Sequence, residues 1–159
     1  MSQKDAIENA GLAAGGFVSR FLHSLDPKKR LTIPAEWREQ IGPLKRLYIL
    51  PGLSGDKCLY VYPAVEMARR LEKFRQMGIA DRRARTLARV LAASSELLEW
   101  DSQGRIRVKD ELLQKAEIVE QAEMVGAFDH FEIWNPAAWR TASSVEDATI
   151  EDALRYVDF

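Results

Sequence analysis

Apolar and polar positions alternate along short stretches of this chain, and the same order of stretches occurs twice. In the first half, residues 17–25 read as a mixed apolar strand, 26–29 as a turn and 31–33 as a short strand. Pro34 suits the first position of a helix over residues 35–40, which Gly42-Pro43 ends. Residues 47–50 and 58–62 then form a hairpin across 52–57, a segment that contains the turn residues Ser54-Gly55-Asp56. In the second half the pattern predicts strands at 96–100, 105–108, 123–128 and 131–134, with a short helix over 110–116.

Between the halves, residues 64–76 and 81–93 read as helices separated by Met77-Gly78. Pro63 opens the first, and Asp81 caps the second. Met67, Leu71 and Phe74 recur at helical spacing, as do Leu87 and Leu91, and are expected to be core faces rather than a cofactor box. The ends are of another kind. Residues 1–16 are small and polar and 141–159 are acidic, so both are expected to be loosely held tails, with a helical turn or two near 150–155.

The recurrence extends to individual residues. Leu25-Asp26-Pro27-Lys28-Lys29-Arg30-Leu31-Thr32-Ile33-Pro34 is echoed by Trp100-Asp101-Ser102-Gln103-Gly104-Arg105-Ile106-Arg107-Val108-Lys109, an offset of 75 from Arg30 to Arg105. Leu59-Tyr60-Val61-Tyr62-Pro63 is echoed by Phe131-Glu132-Ile133-Trp134-Asn135, an offset of 72. The slip between the two offsets falls in a turn, where a duplicated unit tolerates it.

Composition narrows the class. With 159 residues, 47% hydrophobic and 30% charged, the chain reads as a soluble globular protein with a real core. Its longest apolar stretches, such as Leu47-Tyr48-Ile49-Leu50, are far too short to cross a bilayer, and the start of the chain does not read as a secretory signal. The single cysteine, Cys58, excludes an internal disulfide framework, and the chain is read as cytoplasmic. The net charge of −1 argues against a nucleic-acid partner only until the tails are set aside. Residues 1–19 and 141–159 hold seven acidic and two basic residues, which leaves 21 basic and 17 acidic in 20–140, a net of +4.

The Asp-x-x-x-Arg of each copy has a physical rationale. An aspartate at the start of a turn can accept hydrogen bonds from the backbone N–H groups that follow it. The arginine four residues on can pair back to that aspartate, or reach outward to a phosphate or bidentately to guanine. Taken singly, each copy is more plainly a turn-stabilising pair with no ligand.

Two such motifs, in order and between short strands, resemble those of the MraZ family. Trp37-Arg38, the segment Arg82-Arg83-Ala84-Arg85-Thr86-Leu87, and the run from Val125 to Trp134 resemble the family as well. The likeness covers about residues 17–139. It implies an α+β fold of two tandem AbrB-like swapped-hairpin β units forming a pseudo-dimeric split barrel, with helices between the halves. The corresponding divisions are 17–63 and 96–140 for the halves and 64–95 for the connecting helices, with tails at 1–16 and 141–159. It further implies a nucleoid-associated, sequence-specific regulator of transcription, acting on the division and cell-wall gene cluster. Such a protein binds repeated short promoter sites on double-stranded DNA as a ring-shaped homo-oligomer. Arg30 and Arg105 resemble the family's DNA-contacting positions. With Lys28, Lys29, Arg107 and Lys109 beside them they are the candidate DNA-binding residues, exposed and facing one side, while Asp26, Asp101 and Gly104 form the turns. Lys29 stands where the family's first motif usually has Gly; a positive φ there would cost about 1 kcal/mol.

Other chemistry is poorly supplied. Two histidines and one cysteine are too few for a zinc site of the usual kind, and no glycine-rich nucleotide loop is present, so no metal, cofactor or small-molecule substrate is expected. Asp129-His130 looks like half of a triad, but no nucleophile accompanies it, and no enzymatic activity is expected. The densest basic run, Arg82, Arg83, Arg85 and Arg89, reads first as a solvated helix face, then as a subunit contact, and only distantly as a phosphate contact. The rival to a DNA-binding regulator is an AbrB-like protein-interaction module such as an antitoxin, with residues 145–159 as its toxin-binding element.

Overall fold

The computed structural model describes residues 15–159. The expectation for the N-terminal tail therefore lies, for residues 1–14, outside the described residues. The strands are β1 (Arg20–Ser24), β2 (Leu31–Thr32), β3 (Arg46–Pro51), β4 (Cys58–Pro63), β5 (Glu96–Glu99), β6 (Arg105–Ile106), β7 (Gln121–Gly126) and β8 (Phe131–Trp134). The helices are α1 (Ala35–Ile41), α2 (Ala64–Gln76), α3 (Arg82–Ser94), α4 (Asp110–Lys115), α5 (Pro136–Ala142) and α6 (Asp147–Tyr156). None of the described helices is long and apolar enough to cross a membrane.

The six-stranded antiparallel sheet runs β1-β7-β8-β4-β3-β5, and β2 pairs with β6 in a separate ribbon. At the repeat offsets β3 corresponds to β7, β4 to β8, β2 to β6 and β1 to β5. The order therefore reads the same from either edge when the halves are exchanged. At the middle of the sheet Tyr60 faces its own counterpart Glu132, and in the ribbon Leu31 faces its own counterpart Ile106. The first strand of each half pairs outside its own half: β1 with β7, and β5 with β3. This α+β arrangement of antiparallel sheets and interleaved helices is consistent with tandem swapped-hairpin units.

Equivalent positions are buried alike. Leu47, Ile49 and Leu50 of β3 match Ala122, Met124 and Val125 of β7, and all six are buried. Alternation along the strands aims Leu47, Ile49, Ala122 and Met124 at the main core, while Leu50 and Val125 point to the other side of the sheet, Val125 into a smaller cluster with Cys58 and Trp134. Trp37 of α1 is 2% exposed, with ring centroids 4.7 Å from Phe131, 5.4 Å from Phe21 and 5.8 Å from Phe17. Its indole N–H donates to the Val18 carbonyl at 3.1 Å. Leu112, its counterpart in α4, is also fully buried.

Several boundaries differ from those expected. The strand expected over 17–25 is interrupted at Ser19, whose φ of 72° bends the chain, so Phe17 bridges to Phe128 and β1 begins only at Arg20. Pro34 is the N-cap of α1 rather than its first turn, and the strand expected at 105–108 narrows to two residues. Asp81 caps α3 as its residue type predicts, accepting from the Ala84 N–H at 2.9 Å. The C-terminal stretch holds α5 and a ten-residue α6, more than the turn or two expected.

The helical core faces need correction. Of Met67, Leu71, Phe74, Leu87 and Leu91, only Met67 is buried, whereas Leu71 and Leu87 are 42% and 48% exposed. Helices α2 and α3 lie over the outer side of β3 and β4 without closing on it. Leu71, Phe74 and Leu91 line the open groove that remains.

Candidate nucleic-acid interface

Both motif turns have the same hydrogen-bond scheme. Asp26 Oδ1 accepts from the backbone N–H groups of Lys28 and Arg30 at 2.9 and 2.8 Å, and Oδ2 accepts from Arg30 Nε at 2.6 Å. Asp101 Oδ1 accepts from Gln103 and Arg105 at 2.9 and 3.0 Å, and Oδ2 accepts from Arg105 Nε at 2.8 Å. The backbone N–H of Arg30 holds the Asp26 carboxyl below the usual aspartate range; partial burial opposes this, and the arginine side chain adds to it. Asp101 is lowered in the same way by Arg105.

Strand alternation sets the face. Leu31 and Ile106 point into the core, so Arg30, Thr32, Arg105 and Arg107 project from the opposite, outer side of the β2–β6 ribbon. The expectation of freely exposed arginines needs correction. The side chains of Arg30 and Arg105 are each 26% exposed, because the aspartate clasp draws each guanidinium back over its turn. A guanidinium has five N–H donors, and the clasp engages the one on Nε, leaving the two Nη groups without a hydrogen-bond partner among the described residues.

The neighbouring cations are arranged less simply. Lys29 Nζ and Arg107 Nη2 both reach Asp110 Oδ1 at the start of α4, at 3.4 and 2.7 Å. The Arg107 hydrogen bond, followed by that of Lys29, keeps the Asp110 carboxyl low. Lys28 is exposed and makes no ion pair among the described residues. Lys109 is half-buried and drawn toward β5, its backbone N–H donating to Glu96 Oε2 at 2.9 Å and its Nζ to the Ser95 carbonyl at 3.4 Å.

The two turns differ at the residue before the arginine. Lys29 has φ 59° and Gly104 φ 79°, so a lysine occupies the left-handed conformation that glycine occupies in the second copy. Arg38 of α1 lies against Gly104 while its Nε donates to the Ile33 carbonyl at 3.1 Å. Its counterpart in α4 is the buried Leu113, which brings no such head group to the first turn. Arg38 and Asp110 are thus parts of this surface that motif reading missed. The one available signal was their place in the helix directly following each ribbon strand.

Elsewhere the titratable groups are structural. His130 Nδ1 and Nε2 lie 2.8 Å from Asp129 Oδ1 and Glu132 Oε2, and its ring stacks on Tyr62. Burial pushes the thiol of Cys58 up, which keeps it an unreactive core residue. No group of three or more metal-ligating side chains occurs among the described residues.

Comparison with known proteins adds the family. The family model described as "MraZ protein, putative antitoxin-like" matches twice in tandem, over residues 17–90 and 91–158. The chain is 33% identical over 144 residues to a protein named transcriptional regulator MraZ from Pediococcus pentosaceus, covering 90% of this chain and 98% of that one. It is 31% identical over 142 residues to its namesake from Lactobacillus delbrueckii subsp. bulgaricus, covering 89% and 96%. With that from Finegoldia magna the identity is 29% over 136 residues, covering 86% and 92%. Two matches of one model, each spanning one copy of the repeat, and relatives aligned over nearly their whole length lead to one conclusion: the chain belongs to the MraZ family, whose members are regulators of transcription and not enzymes.

Proposed function

We propose that this chain regulates transcription by laying the outer face of the β2–β6 ribbon against duplex DNA. The observation that carries the reading is the projection of Arg30 and Arg105 from one side of a two-stranded antiparallel ribbon, each oriented by its own aspartate. The major groove admits a ribbon of this kind, and an arginine with its Nη edge free can pair bidentately with a guanine. Lys28, Lys29, Arg107 and Lys109 supply positive charge for phosphates, while Asp110 restrains Lys29 and Arg107 until phosphate competes for them. The halves act as a pseudo-dimeric split barrel, 17–63 with 96–140, so the two turns approach adjoining stretches of DNA. Residues 64–95 connect them, and 141–159 follow as a tail outside the barrel.

A single ribbon offers few contacts. The protein therefore works as a ring-shaped homo-oligomer in the cytoplasm, at the nucleoid, on short repeated promoter sites of the division and cell-wall gene cluster. Simultaneous engagement of several repeats supplies the affinity that one chain lacks. The test is fluorescence anisotropy with DNA from immediately upstream of this gene, against a shuffled duplex, in rising salt. The expected result is preference for the upstream DNA and a log–log salt slope of roughly −0.9 per phosphate neutralised. A flat salt dependence, or no binding, would overturn the reading.

A further inference from the structure

The outer side of β3 and β4 is covered only in part. Helices α2 and α3 enclose a groove of about 630 Å³ whose walls include Leu50, Tyr62, Leu71, Phe74, Leu91 and Leu97. Leu71 and Leu97 are exposed there to 42% and 49%, an apolar cost that the isolated chain leaves uncompensated. The helices framing it are basic: residues 64–94 hold eight basic side chains against three acidic ones, a net of +5. Arg82, Arg83 and Arg89 make no ion pair among the described residues.

The same chain carries the complementary element. Every residue from 141 to 159 is exposed, including all of α6. Ile150, Ala153, Leu154 and Val157 follow the i, i+3, i+4, i+7 spacing of one helix face, so α6 has an apolar stripe that covers nothing in its own chain. Phe159, just beyond it, is 98% exposed. The other face is acidic, and residues 143–159 hold five acidic side chains and one basic, a net of −4. No residue of α6 belongs to the wall of the groove.

We propose that α6 of one chain docks, apolar stripe down, in the α2–α3–β3–β4 groove of a second copy. The stripe fills the apolar trough, while Glu151 and Asp158, on the flank beside the stripe, reach the arginines of α3. A small apolar ligand would suit the trough but would leave both the acidic helix and the basic rim unanswered. Each chain supplies one helix and one groove, so the contact is head-to-tail and propagates until it closes in a ring. The inference rests on the oligomer reading above and deepens it by naming the joint.

The experiment uses two full-length variants, L71C in the groove and L154C on the helix, one of them isotopically labelled, mixed and oxidised; the native Cys58 is buried. The expected product is a disulfide joining Cys-substituted positions 71 and 154 across differently labelled chains. The double variant I150D/L154D, altered only at exposed positions, should weaken self-association at least tenfold in sedimentation. No such link, or unchanged association of I150D/L154D, would overturn this interface. If the parent chain is oligomeric in those cases, only the joint is wrong; a parent that sediments as a monomer removes the oligomer reading as well.

Discussion

Arg38 lies so close over Gly104 that a Cβ built on that glycine would sit 2.5 Å from the Arg38 Cζ. Gly104→Ala therefore meets two costs, the left-handed φ of 79° and displacement of a side chain that is hydrogen-bonded to Ile33. The backbone part is about 1–2 kcal/mol, and because an arginine head can swing aside the steric part is smaller. In urea unfolding, Arg38→Ala combined with Gly104→Ala should cost less than the sum of the single changes. Strict additivity would mean that Arg38 does not rest on the glycine in solution.

Arginine and aspartate of each motif should separate on substitution. Arg30→Ala and Arg105→Ala should leave the melting temperature nearly unchanged, since a partly exposed ion pair contributes little. They should weaken binding to the upstream DNA by roughly 1–3 kcal/mol per contact. Asp26→Ala and Asp101→Ala should lower the melting temperature first, because each frees two backbone N–H groups and the arginine they orient. If the arginine variants unfold while the folded fraction still binds DNA normally, the motif is a structural clamp only.

His130 makes stability fall as the solution turns alkaline. Its burial opposes a charge, but the hydrogen bonds to Glu132 and Asp129 outweigh that, and its pKa is raised. A raised folded value means that the contribution is complete below the ordinary histidine pKa of about 6.5 and is lost as pH climbs through the folded one. Arg70, 2.5 Å from Asp129 and stacked on Tyr62, limits the size of the effect without reversing it. Urea midpoints from pH 5.5 to 8.5 should decline for the parent and stay flatter for His130→Gln. Parallel curves would remove the assignment.

Trp37 should be the costliest single truncation. It touches three aromatic rings and is fully enclosed, so Trp37→Ala should lose about 3–5 kcal/mol, against about 2–5 kcal/mol for Leu112→Ala at the equivalent place. With total stability of roughly 5–15 kcal/mol, either change takes a large share. A loss below about 1 kcal/mol at Trp37 would mean that the aromatic cluster is looser than described.

Much of this was legible in the chain because a duplicated pattern repeats its physics. The offset of 75 pairs Leu31 with Ile106 and Trp37 with Leu112, positions that the fold brings to one core. Local spacing could not reveal which strand pairs with which. Nothing in residues 20–24 names β7 as their neighbour, and that exchange came only from family likeness. Helical periodicity also misled at Leu71 and Leu87, because it detects an apolar face and not whether the same chain covers it. Arg38 was hidden for a related reason: its contact with Gly104 joins residues far apart in sequence.

The exchange of first strands has a consequence during synthesis. Arg20 waits for Val125, and the partners of β1 lie about a hundred residues downstream. At translation speeds of roughly 5–20 residues per second, β1 spends about 5–20 seconds outside its final sheet. Until then β3, made in between, has β4 on one side and an open edge on the other, the edge that β5 later closes. A half-made chain is therefore a strand donor and a strand acceptor at once. Two nascent copies on one message could pair with each other before either is finished, so slower translation across residues 64–95 should raise the yield of misjoined chains.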